Sequence, residues 1–309
     1  VNKQNVIGPP QAKANAADDA AFPGRPLRRA VVLAHFDRDG LIDPHLRASI
    51  ASLVSAGADV LVVSANLSPN EPAPDGVRVL RRENAGYDFG SWQAGLRALG
   101  PLGSFDEIVL MNDSFYIARD AALPRALDAL RRLPYDICSL TASREIQFHL
   151  QSYFLVFRPA ALRSAWFSRF WSAVSPADDR AAAILLRELP LAAQARAVGL
   201  RVGALLHPPH LPPFELLTAR WAAGVRAGGR RGGVRAMLDA LRGVPPQNPT
   251  LHRWAETARR CGVVKVELLR DNPRGADLSG LADVMEPTCF DRALRHLARL
   301  RASEAPRPG

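Results

Sequence analysis

The chain has 309 residues, of which 48% are hydrophobic and 23% charged, the balance of a globular protein able to bury a sizeable core. No apolar run approaches the roughly 18 residues needed to span a bilayer, and residues 1–26 lack the apolar centre of a secretory signal. The formal charge is +10, but the basic residues are scattered and no aromatic–basic platform or helix–turn–helix pattern joins them, which argues against a nucleic-acid-binding protein.

Residues 1–26, rich in Pro, Ala, Asn and Asp without periodicity, read as a disordered leader. The chain starts at Val1 and is expected to be part of a longer protein. From Ala30 to Ala34 an apolar run predicts a buried strand, ending in His35, Phe36 and Asp37. Asp43 and Pro44 predict the cap and first turn of a helix reaching Ala56, closed by Gly57. Further strands are predicted at Asp59–Val63, Val77–Leu80, Asp106–Met111 and Tyr135–Leu140, with helices at Gly90–Leu99 and Leu123–Leu133. Ser152–Phe157 reads as a sixth strand. Trp166, Phe167, Phe170 and Trp171, at helical spacing, read as core. A long helix is expected over Asp178–Val198, interrupted at Pro190, then a strand at Arg201–Leu205. Beyond His207 the text loosens; RAGGRRGGVR (226–235) suits either a solvated loop or a surface touching phosphates or anionic lipid. Pro249–Asn272 reads as helix then short strand, and the tail from Ala302 as disordered. Cys138, Cys261 and Cys289 match no zinc or disulfide pattern and read as buried free thiols of a reducing compartment.

Alternating strands and helices predict an α/β fold with a mainly parallel, mixed sheet flanked by helices. The domain expected is 27–210, with a mostly helical C-terminal extension at 211–301 and a tail at 302–309. In such sheets ligands bind beyond the carboxyl ends of the strands. Those ends carry His35, Asp37, Asn66, Asn84 and Asp113.

Four segments carry candidate chemistry. Asn84, Gly86, Tyr87, Asp88 and Gly90 lie between a strand and a helix; the glycines suit backbone close to a ligand, the helix start suits phosphate, and Asp88 suits a sugar hydroxyl. The same text also reads as a plain connecting turn. Asn112-Asp113-Ser114 follows an apolar strand, so Asp113 is either a carboxylate for a divalent cation or a cap. Glu188 is a candidate general base or an exposed helical residue. His149 and Gln151 precede a strand and suit an acceptor site, or serve structure.

ENAGYDFGSW, LMNDSFY, SLTASREIQFHLQSYFLVF, NPTLHRW and VKVELLRDNP occur in that order over about Val31 to Pro273. Together they resemble the rhamnan synthesis protein F family, bacterial cell-surface polysaccharide glycosyltransferases similar to inverting enzymes of the GT-A fold. The resemblance implies a nucleotide-sugar donor, a rhamnose activated as its deoxythymidine diphosphate, and a lipid-linked saccharide acceptor. In the GT-A fold an Asn-x-Gly segment holds the donor, which implies this role for Asn84 and Gly86; by their places at strand ends and beside these segments, His35, Asp37, Asn66, Tyr87, Asp88, Gly90, Asn112 and Ser114 are expected to line the donor site with them. Asp113 would hold Mg²⁺ or Mn²⁺, Glu188 would be the base, and His149 and Gln151 would meet the acceptor. The chain departs from the pattern where Asn112-Asp113-Ser114 replaces an Asp-x-Asp segment, and where Arg187 replaces one carboxylate beside Glu188. A catalytically degenerate binding module is the alternative. The expected location is cytoplasmic, with a basic surface compatible with peripheral association at the inner membrane face.

Overall fold

The computed structural model describes residues 27–176, 179–208, 221–222, 225–226, 229–231, 233–234 and 248–304. The expected leader, the Asp178 helix start and most of 211–247 lie outside the described residues.

The strands are β1 (Arg29–His35), β2 (Asp59–Ser64), β3 (Arg78–Arg81), β4 (Glu107–Asn112), β5 (Phe115–Ile117), β6 (Ile137–Ser143), β7 (His149–Leu150), β8 (Phe154–Phe157), β9 (Val202–Leu206) and β10 (Val263–Lys265). The main sheet runs β3-β2-β1-β4-β8-β6, with β7 and β9 both on β6. All its pairings are parallel except those of β8 and β7, which are antiparallel to their neighbours. This is the mixed, mainly parallel sheet expected. The pair β5 and β10 forms a small antiparallel sheet beside it.

The helices used below are α1 (Pro44–Ser55), α2 (Tyr87–Leu99), α3 (Ala122–Arg131), α4 (Ala165–Ser172), α5 (Leu189–Ala197), α6 (Trp254–Cys261) and α7 (Pro287–Glu304). They cover both sheet faces, which is why β1 reads as one unbroken apolar run. Val31 and Leu33 point into a core shared with α1, α3, α6 and α7. Ala30, Val32 and Ala34 point to the other side, against α2, α4 and α5. The period of two within β1 thus serves two cores.

Two local features set the site. Gly95 lets α2 lie flat on the sheet, because a Cβ there would come within 2.2 Å of Val32 Cγ1. Trp92, buried beneath the same helix, donates from Nε1 to the Met111 carbonyl at 2.9 Å and so fixes α2 against the end of β4.

Several boundaries differ from expectation. α2 begins three residues earlier, at Tyr87, on the left-handed Gly86. Pro190 does not interrupt a helix: it sits in the first turn of α5, where its missing N–H is tolerated, and the preceding Ala183–Glu188 is wound in wide π-type turns. α7 continues to Glu304, so the start of the expected tail is helical. The aromatic group Trp166, Phe167, Phe170 and Trp171 is buried core, and the three cysteines are buried and free.

Candidate functional site

The carboxyl ends of β1 and β4, the first turn of α2, the β7–β8 turn and β10 surround a cavity of about 630 Å³. Four charged groups from distant parts of the chain meet there: Asp88, Asp113, Glu188 and Lys265. Asp88 stands in the first turn of α2 and accepts a hydrogen bond from Asn112 Nδ2 at 2.7 Å. Asn112 Oδ1 accepts from both the amide and the hydroxyl of Ser114, at 3.2 and 2.6 Å, closing the turn after β4. Asp113 turns its Oδ2 to the Phe36 amide at 2.9 Å, tying the ends of β1 and β4 together. Glu188 ends the wide turns before α5 and accepts from the Ser152 amide at 3.0 Å. Lys265 reaches in from β10, which β5 holds in register beside the turn after β4. Its Nζ donates to Ser114 Oγ at 2.6 Å and stands 4.5 Å from the centre of the Tyr153 ring.

The electrostatics are those of groups crowded in a poorly hydrated cleft. Burial pushes the Asp88 carboxyl above its ordinary value against the Asn112 bond and Lys265, and Glu188 adds to the rise. Burial pushes Asp113 up to about 7 against its bond from Phe36, with the charges of Asp88 and Asp37 adding to the rise. Burial lowers Lys265 to about 8, although Glu188, Glu267, Asp88 and Asp113 all favour its charge. Clefts with acids and bases shifted towards neutrality are where proton transfer and charge stabilisation are done.

Asp88 and Asp113 both line the cavity and act on each other through their charges, and carboxylate oxygens are the donors that suit Mg²⁺ or Mn²⁺. Lys265 supplies only one positive charge among them.

Of the residues predicted for the site, His35, Asp37, Tyr87, Asp88, Asn112, Asp113, Ser114, Gln151 and Glu188 line the cavity. His35 and Asp37 also carry bonds that hold the frame. His35 uses both ring nitrogens, on Ser64 Oγ at 2.8 Å and the Leu41 carbonyl at 3.0 Å. Asp37 is held by Arg299 of α7. Tyr87 is half exposed and adopts φ 49°, an uncommon conformation for a side chain of its size.

Asn66, Asn84, Gly86, Gly90 and His149 do not line the cavity. Asn66 accepts from the Asp37 amide and donates to its carbonyl, bracing the loop after β1. Gly86 and Gly90 serve close backbone packing: a Cβ would meet the Ser175 carbonyl at 2.8 Å in one case and the Ala85 carbonyl at 2.2 Å in the other. Asn84 is exposed. His149 is buried and anchored to the Gln147 carbonyl.

Sequence reasoning missed Lys265, Asn248, Thr250, Asp43, His45 and His296, all on the cavity wall. Asn248 and Thr250 hold Gln151, with its Nε2 3.2 Å from Asn248 Oδ1. The signal for Lys265 was a lone cation in the apolar run VVKVELL.

A family model described as "Rhamnan synthesis protein F" matches residues 75–219, which carry Asp88, Asp113 and Glu188. Over this segment, just under half of the chain, the sequence is similar to the rhamnan synthesis protein F family. The match is narrower than the Val31–Pro273 span of the motifs, and Lys265 lies beyond it. Among curated proteins, an uncharacterized protein y4gN of Sinorhizobium fredii is 28% identical over 137 residues, covering 42% of this chain and 35% of its own length. Virulence protein VirA of Vibrio anguillarum is 27% identical over 224 residues, covering 63% of each chain. The chain therefore spans less than two thirds of either relative. Among solved structures, the mannosyltransferase PcManGT of Pyrobaculum calidifontis, in complex with GDP-Man and Mn²⁺, is 12% identical with a TM-score of 0.40, covering 92% of this chain and 78% of its own. Glucosyl-3-phosphoglycerate synthase of Mycobacterium tuberculosis, in complex with Mn²⁺, UDP and phosphoglyceric acid, is 12% identical with a TM-score of 0.38, covering 71% and 80%.

Proposed function

We propose that the cavity binds a nucleotide-sugar and that the protein is an inverting glycosyltransferase of the GT-A type. It would move a deoxyhexose, L-rhamnose from its deoxythymidine diphosphate donor, to a growing cell-surface polysaccharide. The observation that carries this reading is the meeting of Asp88, Asp113, Glu188 and Lys265 at the carboxyl ends of parallel strands. The similarity of residues 75–219 to the rhamnan synthesis family supports the sugar.

In the reaction an acceptor hydroxyl oxygen bonds to the anomeric carbon as the bond from that carbon to the diphosphate oxygen breaks. The diphosphate leaves with the electron pair. Glu188 takes the hydroxyl proton, held in place by the Ser152 amide. Lys265 faces the departing diphosphate with a positive charge fixed between Ser114 and Tyr153. Asp88 and Asp113 would hold Mg²⁺ or Mn²⁺, which would supply further charge stabilisation to the diphosphate. Tyr87 and Phe36, both about half exposed on the cavity wall, offer apolar surface to the nucleoside. Gln151, braced by Asn248 and Thr250, faces the acceptor side. The acceptor proposed is a lipid-linked saccharide, met by peripheral association at the inner membrane face. Among the described residues no helix is long and apolar enough to cross a membrane.

A screen of deoxythymidine, uridine and guanosine diphosphate sugars by thermal shift, with and without divalent metal, tests the reading. The deoxythymidine diphosphate sugar should raise the melting temperature most. No shift with any nucleotide-sugar sinks the proposal.

A second reading, a binding module without catalysis, is favoured by Asn112 and Ser114 standing where an Asp-x-Asp segment has carboxylates. Glu188→Gln separates the two: glycan synthesis in cells unchanged by it, but abolished by Asp88→Asn, supports the binding module.

A further inference from the structure

Where α1 meets α7, the cavity wall holds a group of side chains that the donor reading does not use. Asp43 caps α1, accepting from the His45 amide. His45 is 5% exposed and its Nδ1 lies 2.8 Å from Asp43 Oδ1. Its Nε2 is buried without a hydrogen-bond partner among the described residues. The His45 ring lies 4.2 Å, centre to centre, from that of His296 on α7, and His296 Nδ1 lies 2.8 Å from the Tyr116 hydroxyl. Asp43 Oδ1 and His45 Nδ1, 2.8 Å apart, stand close enough to share one ion. Tyr116 holds His296 through Nδ1 and leaves its Nε2 to ligate, the way metal-binding histidines are oriented.

Charge points in the same direction. Asp37, Asp39 and Asp43 converge on a single guanidinium, that of Arg299. Three carboxylates share one guanidinium, which leaves negative charge in excess on this wall.

We propose that Asp43, His45 and His296, whose ligand atoms all lie within 4.8 Å of one another, form a site for a Zn²⁺-type transition-metal ion that ties α1 to α7 on the cavity wall. Two imidazoles and a carboxylate suit a borderline ion such as Zn²⁺ and not Mg²⁺, which separates this site from the all-oxygen pair Asp88 and Asp113. Three protein ligands leave a coordination position open, and all three residues border the cavity. The proposal does not depend on the donor reading.

The test uses full-length protein stripped with EDTA and titrated with Co²⁺ and Zn²⁺. A single equivalent of Co²⁺ should bind with visible d–d absorption, and Zn²⁺ should displace it and raise the melting temperature. The double variant His45→Gln/His296→Gln should lose the band, whereas Asp113→Asn should keep it. Tyr116→Phe, which removes only the orienting hydroxyl, should weaken binding about tenfold or more. If the double variant fails to fold, X-ray absorption at the zinc edge of the wild-type protein decides: two imidazoles in the first shell support the site. No Co²⁺ binding, a band that survives the double variant, or a first shell of oxygen alone overturns it.

Discussion

Asp113→Asn should stabilise the protein in a pH-dependent way while damaging donor binding. In the folded state burial, with the charges of Asp88 and Asp37, holds the Asp113 carboxyl at about 7, against an ordinary value of 3.8. A carboxyl whose folded value is raised keeps its stability below the unfolded value and loses it as pH rises through the folded one. Between pH 3.8 and about 7 the unfolded chain ionises first, so stability falls as pH rises. The gap is about three units at about 1.36 kcal/mol each, a ceiling near 4 kcal/mol. Partial exposure screens the charge, so about 2 kcal/mol is expected. Asparagine carries no charge and can still accept from Phe36, so the variant escapes this penalty. Urea unfolding in EDTA should show it more stable than wild type by about 2 kcal/mol at pH 8, and by less than half of that at pH 5. An equal difference at the two pH values, or a destabilised variant at pH 8, refutes the reasoning. Gains of this kind mark positions kept for function at the expense of stability.

Three further substitutions probe the frame around the site. Gly95→Val places side-chain carbon against Val32 and Val63, whose methyls already lie 2.2 and 3.0 Å from a Cβ there, and should cost about 1–3 kcal/mol in chemical denaturation. Trp92→Phe strips the Met111 carbonyl of its buried donor and should cost about 1–3 kcal/mol, with loosening of the α2 start visible as faster amide exchange at Phe89 and Gly90. Arg299→Ala leaves Asp37 and Asp43 without their guanidinium and should cost about 3 kcal/mol at neutral pH. Despite burial, hydrogen bonds from Arg299 and nearby amides hold Asp37 below 3.8, so the stability it contributes is present above that value and lost as pH falls through the depressed one. The difference between wild type and Arg299→Ala should accordingly shrink in acid, as followed by urea midpoints at pH 7 and pH 3.

The strand ends were legible because each parallel strand is a short apolar run that stops at polar residues. That pattern located His35, Asp37, Asn112 and Asp113 on the cavity without any tertiary information. Glycine was a less exact guide. Gly86 and Gly90 do mark close approach, but of backbone to backbone: the carbonyls of Ser175 and Ala85 occupy the space a ligand was expected to fill. Asn66 and His149 were polar residues in the expected places whose bonds turn inward to the loops beside them. Glu188 was placed by a helix pattern that read Pro190 as a break; the wide turns before Pro190 are what swing the carboxylate to Ser152. The pair His45 and His296 carried no local signal, and Lys265 carried only that of a lone cation in an apolar run. They reach the cavity through pairings across the chain, β10 on β5 and α7 on α1, and periodicity cannot see such pairings.

The central claim is that a nucleotide-sugar binds in this cavity against Lys265. Calorimetric titration of deoxythymidine diphosphate-L-rhamnose into wild-type protein and Lys265→Met tests it most directly. The account predicts one-to-one binding to wild type that weakens at least tenfold in the variant. No binding to wild type, or equal affinity for the two proteins, would contradict it.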